Sequence, residues 1–269
     1  MREGRSLAEW VRVQSTRILG MVALLGMLGL PLADARAQQG EDINDPIEYV
    51  NRGILDLNLI LDRFIFKPTA QGYRFLLPER VRQGLRNALR NLQAPTVLAN
   101  DILQGKFERG ATTVGRFVVN STVGVAGVFD VAADWGMEPH VEDFGQTMAV
   151  WGIPEGPYLM LPLAGPSNPR DLVGGLVDSF ADPFRLWANH EDKEWITYAR
   201  GGLSALGRRE RNIERFDELQ RTAIDLYATL RSLYRQDRLD KIHDGKLPMD
   251  SESSPFGYSY PDDSNGDSH

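Results

Sequence analysis

The chain is 269 residues long, carries a formal net charge of −7 and contains no cysteine. The missing thiols exclude disulfides, cysteine-ligated metals and thiol nucleophiles. The acidic balance argues against a nucleic-acid partner, whose phosphates want a basic surface, and against adhesion to anionic lipid by charge alone.

The N-terminus reads as an export signal. Arg2, Arg5, Arg12 and Arg17 precede an apolar run at 18–32, and Ala35-Arg36-Ala37 follows. A positive lead, a short apolar core and small residues at the exit form the secretory pattern. The core is shorter than the roughly 20 residues a membrane span needs. Residues 1–37 are therefore expected to be a cleavable signal peptide. Its loss removes five arginines and three acidic residues, taking the net charge from −7 to −9.

Residues 38–243 are expected to form one helical domain. Asp45-Pro46-Ile47-Glu48 resembles a helix start, with Asp45 as cap and Pro46 at the first helical position. Ile47, Val50, Ile54, Leu57, Leu61 and Phe64 follow at alternating steps of three and four, one apolar stripe. Pro68 is expected to end that helix. A second helix is predicted from Pro78-Glu79 to Pro95, striped by Val81, Leu85, Ala88 and Leu92. Short helices are predicted at 96–104 and 107–120.

The segment 117–129 has no charged residue and is too short to span a bilayer. It is equally compatible with a buried core segment and an interfacial one. Gly124 and Gly127 would admit a close neighbour there. The segment 152–170 holds five prolines and cannot form a regular helix. Its Tyr158, Leu159, Met160, Leu161 and Leu163 make an apolar loop, either packed against helices or facing a membrane. A helix is predicted at 171–180 and one long helix at 208–243. Residues 244–269, rich in Ser, Asp, Pro and Gly, read as a disordered acidic tail.

No catalytic constellation emerges. His140 lies among Glu138, Glu142 and Asp143, but without a helical His pair this is a weak metal pattern. Ser167 sits in Gly165-Pro166-Ser167-Asn168-Pro169, which is not a nucleophile elbow. Gly174-Gly175 is not followed by the Lys-Ser/Thr of a phosphate loop. The chain reads as a non-enzyme without cofactor or metal.

An ordered series of short motifs does stand out. It runs through Asp45-Pro46-x-Glu48-x-x-Asn51-Arg52, Asn87-x-x-x-Asn91-Leu92-x-x-Pro95 and Asn100-x-x-Leu103-Gln104-Gly105. It continues with Arg116-Phe117-x-x-Asn120-Ser121-Thr122, then Phe144-Gly145-Gln146-Thr147, Gly156-Pro157-Tyr158-x-x-Leu161-Pro162 and Gly165-Pro166-Ser167-x-x-Arg170-Asp171. In order and spacing the chain resembles the MlaA (VacJ) family of outer-membrane phospholipid-transport proteins over residues 45–185.

The resemblance implies an all-α fold, a ring of amphipathic helices lying in one leaflet around a channel. It implies a passive conduit that takes mislocalised phospholipid to a soluble periplasmic carrier, beside a trimeric porin. Asn51, Arg52, Asn87, Asn91, Asn100, Arg116 and Asn120 are the candidates for a polar channel lining. Each is equally the type of residue that caps a helix or pairs with a carboxylate. Many family members are lipoproteins anchored through a cysteine, which is absent here. Attachment is then expected to rest on apolar helix faces, porin contacts or both. A porin-bound scaffold without transport is the alternative; a periplasmic lipid hydrolase ranks last.

Overall fold

The computed structural model describes residues 44–246; the expected signal peptide, 1–37, and nearly all of the expected tail, 244–269, lie outside them. Twelve helices and one hairpin follow in chain order. They are α1 (Glu48–Leu61), α2 (Lys67–Leu76), α3 (Glu79–Asn91), α4 (Ala94–Leu103), α5 (Phe107–Thr122) and α6 (Val131–Asp134). Then come α7 (Phe144–Val150), strands β1 (Leu159–Leu161) and β2 (Gly165–Ser167), and α8 (Pro169–Ala181). The chain closes with α9 (Pro183–His190), α10 (Glu194–Arg211), α11 (Ile213–Thr222) and α12 (Leu226–Ile242). The all-α reading holds, and no helix among the described residues is long and apolar enough to cross a membrane.

Three boundaries differ from expectation, each for a local reason. Pro68 does not end the first helix. A π-helical turn, Asp62–Phe66, joins α1 to α2, and the Lys67 N–H reaches back five residues to the Asp62 carbonyl. The wider turn makes room for the proline ring and its missing N–H at the start of α2. Asp45 caps nothing. Helix α1 begins at Glu48 without a side-chain cap. The Asp45 carboxylate instead takes bonds from Asn51 Nδ2 at 2.9 Å, Arg231 at 2.9 Å and the Tyr227 hydroxyl. The expected single helix at 208–243 is broken twice, giving α10, α11 and α12. Asp225 starts α12 by accepting from the Ala228 N–H at 3.1 Å, a cap that a continuous helix could not contain.

Residues 117–129 finish α5 and then fold into consecutive turns. Gly127 adopts φ +87°, and a Cβ there would stand 2.5 Å from the Asn91 side chain. The approach anticipated at Gly124 comes from the turn's own backbone, the Phe129 carbonyl. The 152–170 segment has no helix before Pro169. Instead β1 and β2 pair antiparallel, Leu159 opposite Ser167 and Leu161 opposite Gly165.

The distribution of side chains is unusual for a protein surrounded only by water. More polar and charged residues are buried than apolar ones, and large apolar side chains cover the exterior. The apolar core is small: Leu55, Tyr158, Met160 and Tyr227, flanked by Ile54, Leu59, Leu230 and Tyr234. Helix α1 shows the inversion best. Of its expected stripe, Ile47, Val50, Leu57 and Phe64 are exposed, and Tyr49 beside them is 91 % exposed. The adjoining face, Asn51, Leu55, Asn58 and Asp62, turns inward.

Candidate functional site

Helices α1, α2, α10, α11 and α12, with the hairpin, surround a cavity of about 670 Å³. That volume lies within the usual range of small-molecule sites. Leu55, Leu59, Ile65, Phe66, Leu206, Phe216 and Leu230 give it apolar walls. Asn58, Asp62, Arg208, Arg209 and Asn212 supply the polar lining. The cavity is thus amphipathic, with the space for a hydrocarbon chain beside groups that could hold a polar head.

Arg209 is the notable polar group. Its Nε and Nη2 bind the two oxygens of Asp62 at 2.5 and 2.8 Å. The Asp62 hydrogen bonds hold the guanidinium above its ordinary range against the opposing effect of burial. Its Nη1 is buried and has no hydrogen-bond partner. An orphaned buried donor on a charged group is costly unless something accepts from it. A phosphate oxygen is a chemically suitable, charge-assisted acceptor once a shift of the side chain opens the buried Nη1 to the cavity.

None of the seven residues expected to form a polar lining lines this cavity; Asn87, Asn91, Arg116 and Asn120 line a separate, smaller cleft beside Asp130 and His140. Each also has a protein partner. Asn51 is 1 % exposed and ties the hairpin to α1: Nδ2 donates to the Tyr158 carbonyl at 3.1 Å, and Oδ1 accepts the Met160 N–H at 2.9 Å. Arg52 pairs with both oxygens of Asp225 at 3.1 and 2.7 Å. Asn87 donates to the Val128 carbonyl at 3.2 Å and Asn91 to Ser121 at 2.9 Å. Asn100 donates to Asp178 at 2.9 Å and accepts from Thr147 at 2.7 Å. Arg116 grips Asp130 through two 2.9 Å bonds, and Asn120 joins the same carboxylate at 2.9 Å. The motif residues hold short helices and turns together.

The five loop residues separate. Tyr158 and Met160 are core residues, 4 % and 2 % exposed, so they face protein rather than the exterior. Leu159 and Leu161 are half-buried. Leu163 is exposed and also lines the cavity beside Ala164 and Gly165. The hairpin is therefore one wall of the cavity, placed by Asn51 and Asn58. Asn58 accepts the Leu163 N–H at 2.8 Å and donates to the Leu161 carbonyl at 2.9 Å.

Elsewhere, His140 Nε2 faces Asp101 at 3.1 Å and Thr113 at 3.1 Å. Among the described residues no group of three or more acidic or histidine side chains could hold a metal. Ser167 lies buried in β2, and its hydroxyl donates to the Asn168 carbonyl at 3.4 Å.

Two predictions arise here. Asn51→Ala strands the Met160 N–H and the Tyr158 carbonyl in a buried site and should destabilise the fold by about 2–3 kcal/mol. Urea unfolding with an unchanged m-value measures it. The second concerns acid. Hydrogen bonding from Arg52 and the Ala228 N–H holds Asp225 down from 3.8 to about 2. A depressed carboxyl contributes stability above its ordinary pKa and loses it as pH falls toward the folded value. Asp225→Asn keeps a capping side chain but removes the titration. The variant should show a flatter loss of stability between pH 3.8 and about 2 than the wild type, followed by circular dichroism.

Comparison with known proteins gives the context. The MlaA lipoprotein family model matches residues 43–241. The intermembrane phospholipid transport system lipoprotein MlaA of Haemophilus influenzae is 30 % identical over 245 residues, covering 89 % of this chain and 94 % of that protein. The Escherichia coli K12 protein of the same name is 33 % identical, over 86 % of this chain and 88 % of its own length. A solved chain described under "Structural basis for maintenance of bacterial outer membrane lipid asymmetry" superposes with a TM-score of 0.65 at 29 % identity, covering 72 % of this chain and 96 % of that one. Motif order, fold and these relatives agree: the chain belongs to the MlaA family.

Proposed function

We propose that this chain is a phospholipid-transport component of the outer membrane and that the cavity between α1–α2, α10, α11 and α12 is the passage its substrate occupies. The observation that carries the proposal is the amphipathic cavity with the unsatisfied Arg209 Nη1. Acyl chains lie against Leu55, Leu59, Phe66 and Leu230, and the phosphate meets Arg209, with Arg208 nearby. Arginine suits phosphate because its donors form a planar fork. The exterior supports the setting. Exposed Tyr49, Phe64, Phe75 and Phe107 give helices of sub-spanning length an apolar outer face, as suits a protein lying in one leaflet. This folded surface is the membrane attachment we propose, without a requirement for an acyl anchor. Lipid would leave toward a soluble periplasmic carrier, beside a trimeric porin, without covalent chemistry.

The test is transfer of labelled phospholipid from vesicles containing the full chain to a soluble lipid-binding acceptor. Arg209→Gln should slow transfer of phosphodiester lipids while leaving membrane association unchanged. Membrane association with no transfer above a protein-free control would instead support the scaffold reading.

A further inference from the structure

A second cluster of cations lies outside the cavity, at the corner where α2 meets α3 and the last turn of α10. Glu210, 3 % exposed, accepts from Arg74 Nε at 2.9 Å and from Arg82, and lies 3.9 Å from Arg86. Glu79 pairs with Arg86 at 2.9 Å and with Arg82. Glu214 also binds Arg74, through Nη1 and through Nη2 at 3.2 Å, so three carboxylates serve these three guanidiniums. Arg211 adds a fourth, and no carboxylate of the described residues lies within ion-pair distance of it. Its Nη1 and the Arg86 Cγ both come within 3.9 Å of the point where Gly207 would carry a Cβ, so the two side chains converge over a glycine. Partial burial, then the neighbouring Arg86 and Arg90 charges, hold Arg211 below the ordinary arginine range. The negative end of α10 offsets part of that repulsion, as basic residues in a last turn commonly allow. It leaves the exposed guanidinium of Arg211 without a carboxylate partner, while the Arg82 Nε is buried without an acceptor. Tyr73 faces the same charges, and its hydroxyl also has no hydrogen bond.

The corner has a second character. Phe75 and Leu76, at the end of α2, are 89 % and 74 % exposed, and Val81 at the start of α3 is exposed too. Apolar side chains projecting beside a cationic cluster whose exposed Arg211 has no carboxylate partner match the boundary between acyl chains and head groups. The chain's net charge is negative, so the surplus is local, a site rather than a general attraction.

We propose that Arg86, Arg211 and the Tyr73 hydroxyl form a binding site for a phosphodiester oxyanion, the head group of an anionic phospholipid resting in the leaflet beside the protein. The site is separate from the transport cavity. It rests on the membrane reading above only in that lipid must surround the chain. Its ligand chemistry would equally describe free phosphate, and the test separates the two.

Flotation of the full chain with phosphatidylcholine vesicles measures membrane association; adding phosphatidylglycerol measures head-group preference. The wild type should prefer the anionic vesicles. Arg211→Gln should bind them about five-fold more weakly, the expected contribution of one interfacial arginine. Its binding to phosphatidylcholine should be unchanged. Tyr73→Phe should lose a smaller part of the preference. Arg221→Gln, which alters an exposed pair with Glu218, should lose none. A preference that survives in Arg211→Gln overturns the site. So does a rise in Tm with inorganic phosphate that depends on Arg211 while vesicle preference does not, since the ligand is then free phosphate. Loss of phosphatidylcholine binding by the wild type defeats the membrane reading itself, and the site with it.

Discussion

Gly202→Trp should abolish most phospholipid transfer while leaving the protein as stable as the wild type, or slightly more so. Gly202 lies in α10 and lines the cavity, and a Cβ built on it meets no atom within 4 Å. A large side chain therefore extends into empty space without displacing a neighbour. Replacing a helical glycine also removes unfolded-state freedom, worth about 0.5–1 kcal/mol. Transfer should fall on the order of tenfold, because an indole occupies space that an acyl chain needs. Gly201→Trp is the matched control. It too has open space around its Cβ, but it is not among the cavity's lining residues. The two variants should share a Tm and differ in transfer. Equal transfer by both would mean that lipid takes another route.

Arg238→Ala should cause the largest loss of stability. Arg238 is 8 % exposed in α12 and binds both oxygens of Asp143 at 2.7 and 3.0 Å and Asp171 at 2.9 Å. Burial alone would raise the Asp143 carboxyl, but Arg238 outweighs it and holds it below the ordinary range. Arg238 itself, which burial would lower, is raised by Asp143 and Asp171. These carboxylates sit at the starts of α7 and α8. Asp143 caps α7 through the Gln146 N–H, and the Asn168 cap of α8 donates to Asp171 at 3.0 Å. Removing the guanidinium leaves Asp143 without a cation and Asp171 with only Arg170, at 3.3 Å. Breaking a buried ion pair on one side costs about 3–5 kcal/mol, which in a domain of this size lowers Tm on the order of 10 °C. Arg238→Lys should recover only part, because an ammonium cannot span both carboxylates as the planar fork does. A loss under 1 kcal/mol for the alanine variant, a value typical of surface pairs, would contradict this assignment.

Much of the fold was legible in the sequence. Periodicity and proline placement located α3, α4, α5 and α8 within a few residues. The composition of 152–170 ruled out helix there. What periodicity could not provide was the direction of each face. In α1 the stripe Ile47, Val50, Ile54, Leu57, Leu61 and Phe64 obeys the helical rule, and in a soluble domain it would point to the core. Here Ile47, Val50, Leu57 and Phe64 are exposed, while Leu61 is half-buried and Ile54 packs at the edge of the core, because the adjoining face packs a polar network and lines a cavity. Asn51, Leu55, Asn58 and Asp62 also recur at steps of four, three and four, and that second stripe was the available signal. The π-turn at Asp62–Phe66 left no trace except Pro68 in an otherwise continuous helix.

The site was less legible than the fold. Polar motif residues such as Asn120 and Arg116 suggested a lining; they line a smaller cleft apart from the cavity and are bound there to Asp130, 10 and 14 residues away. Their partners are set by tertiary folding, which spacing does not encode. Arg209 gave no signal in the sequence, being one of several charges on the helix predicted at 208–243. Only its pairing with Asp62, 147 residues earlier, shows that it is held at the cavity with one donor free.

The central claim is that phospholipid enters this cavity. A photoreactive amino acid placed at Leu206, a lining position on α10, tests it in growing cells. Irradiation should attach phospholipid at Leu206, and Gly202→Trp in the same chain should suppress the adduct. The absence of any lipid adduct at Leu206, or an adduct that Gly202→Trp leaves unchanged, would contradict the account.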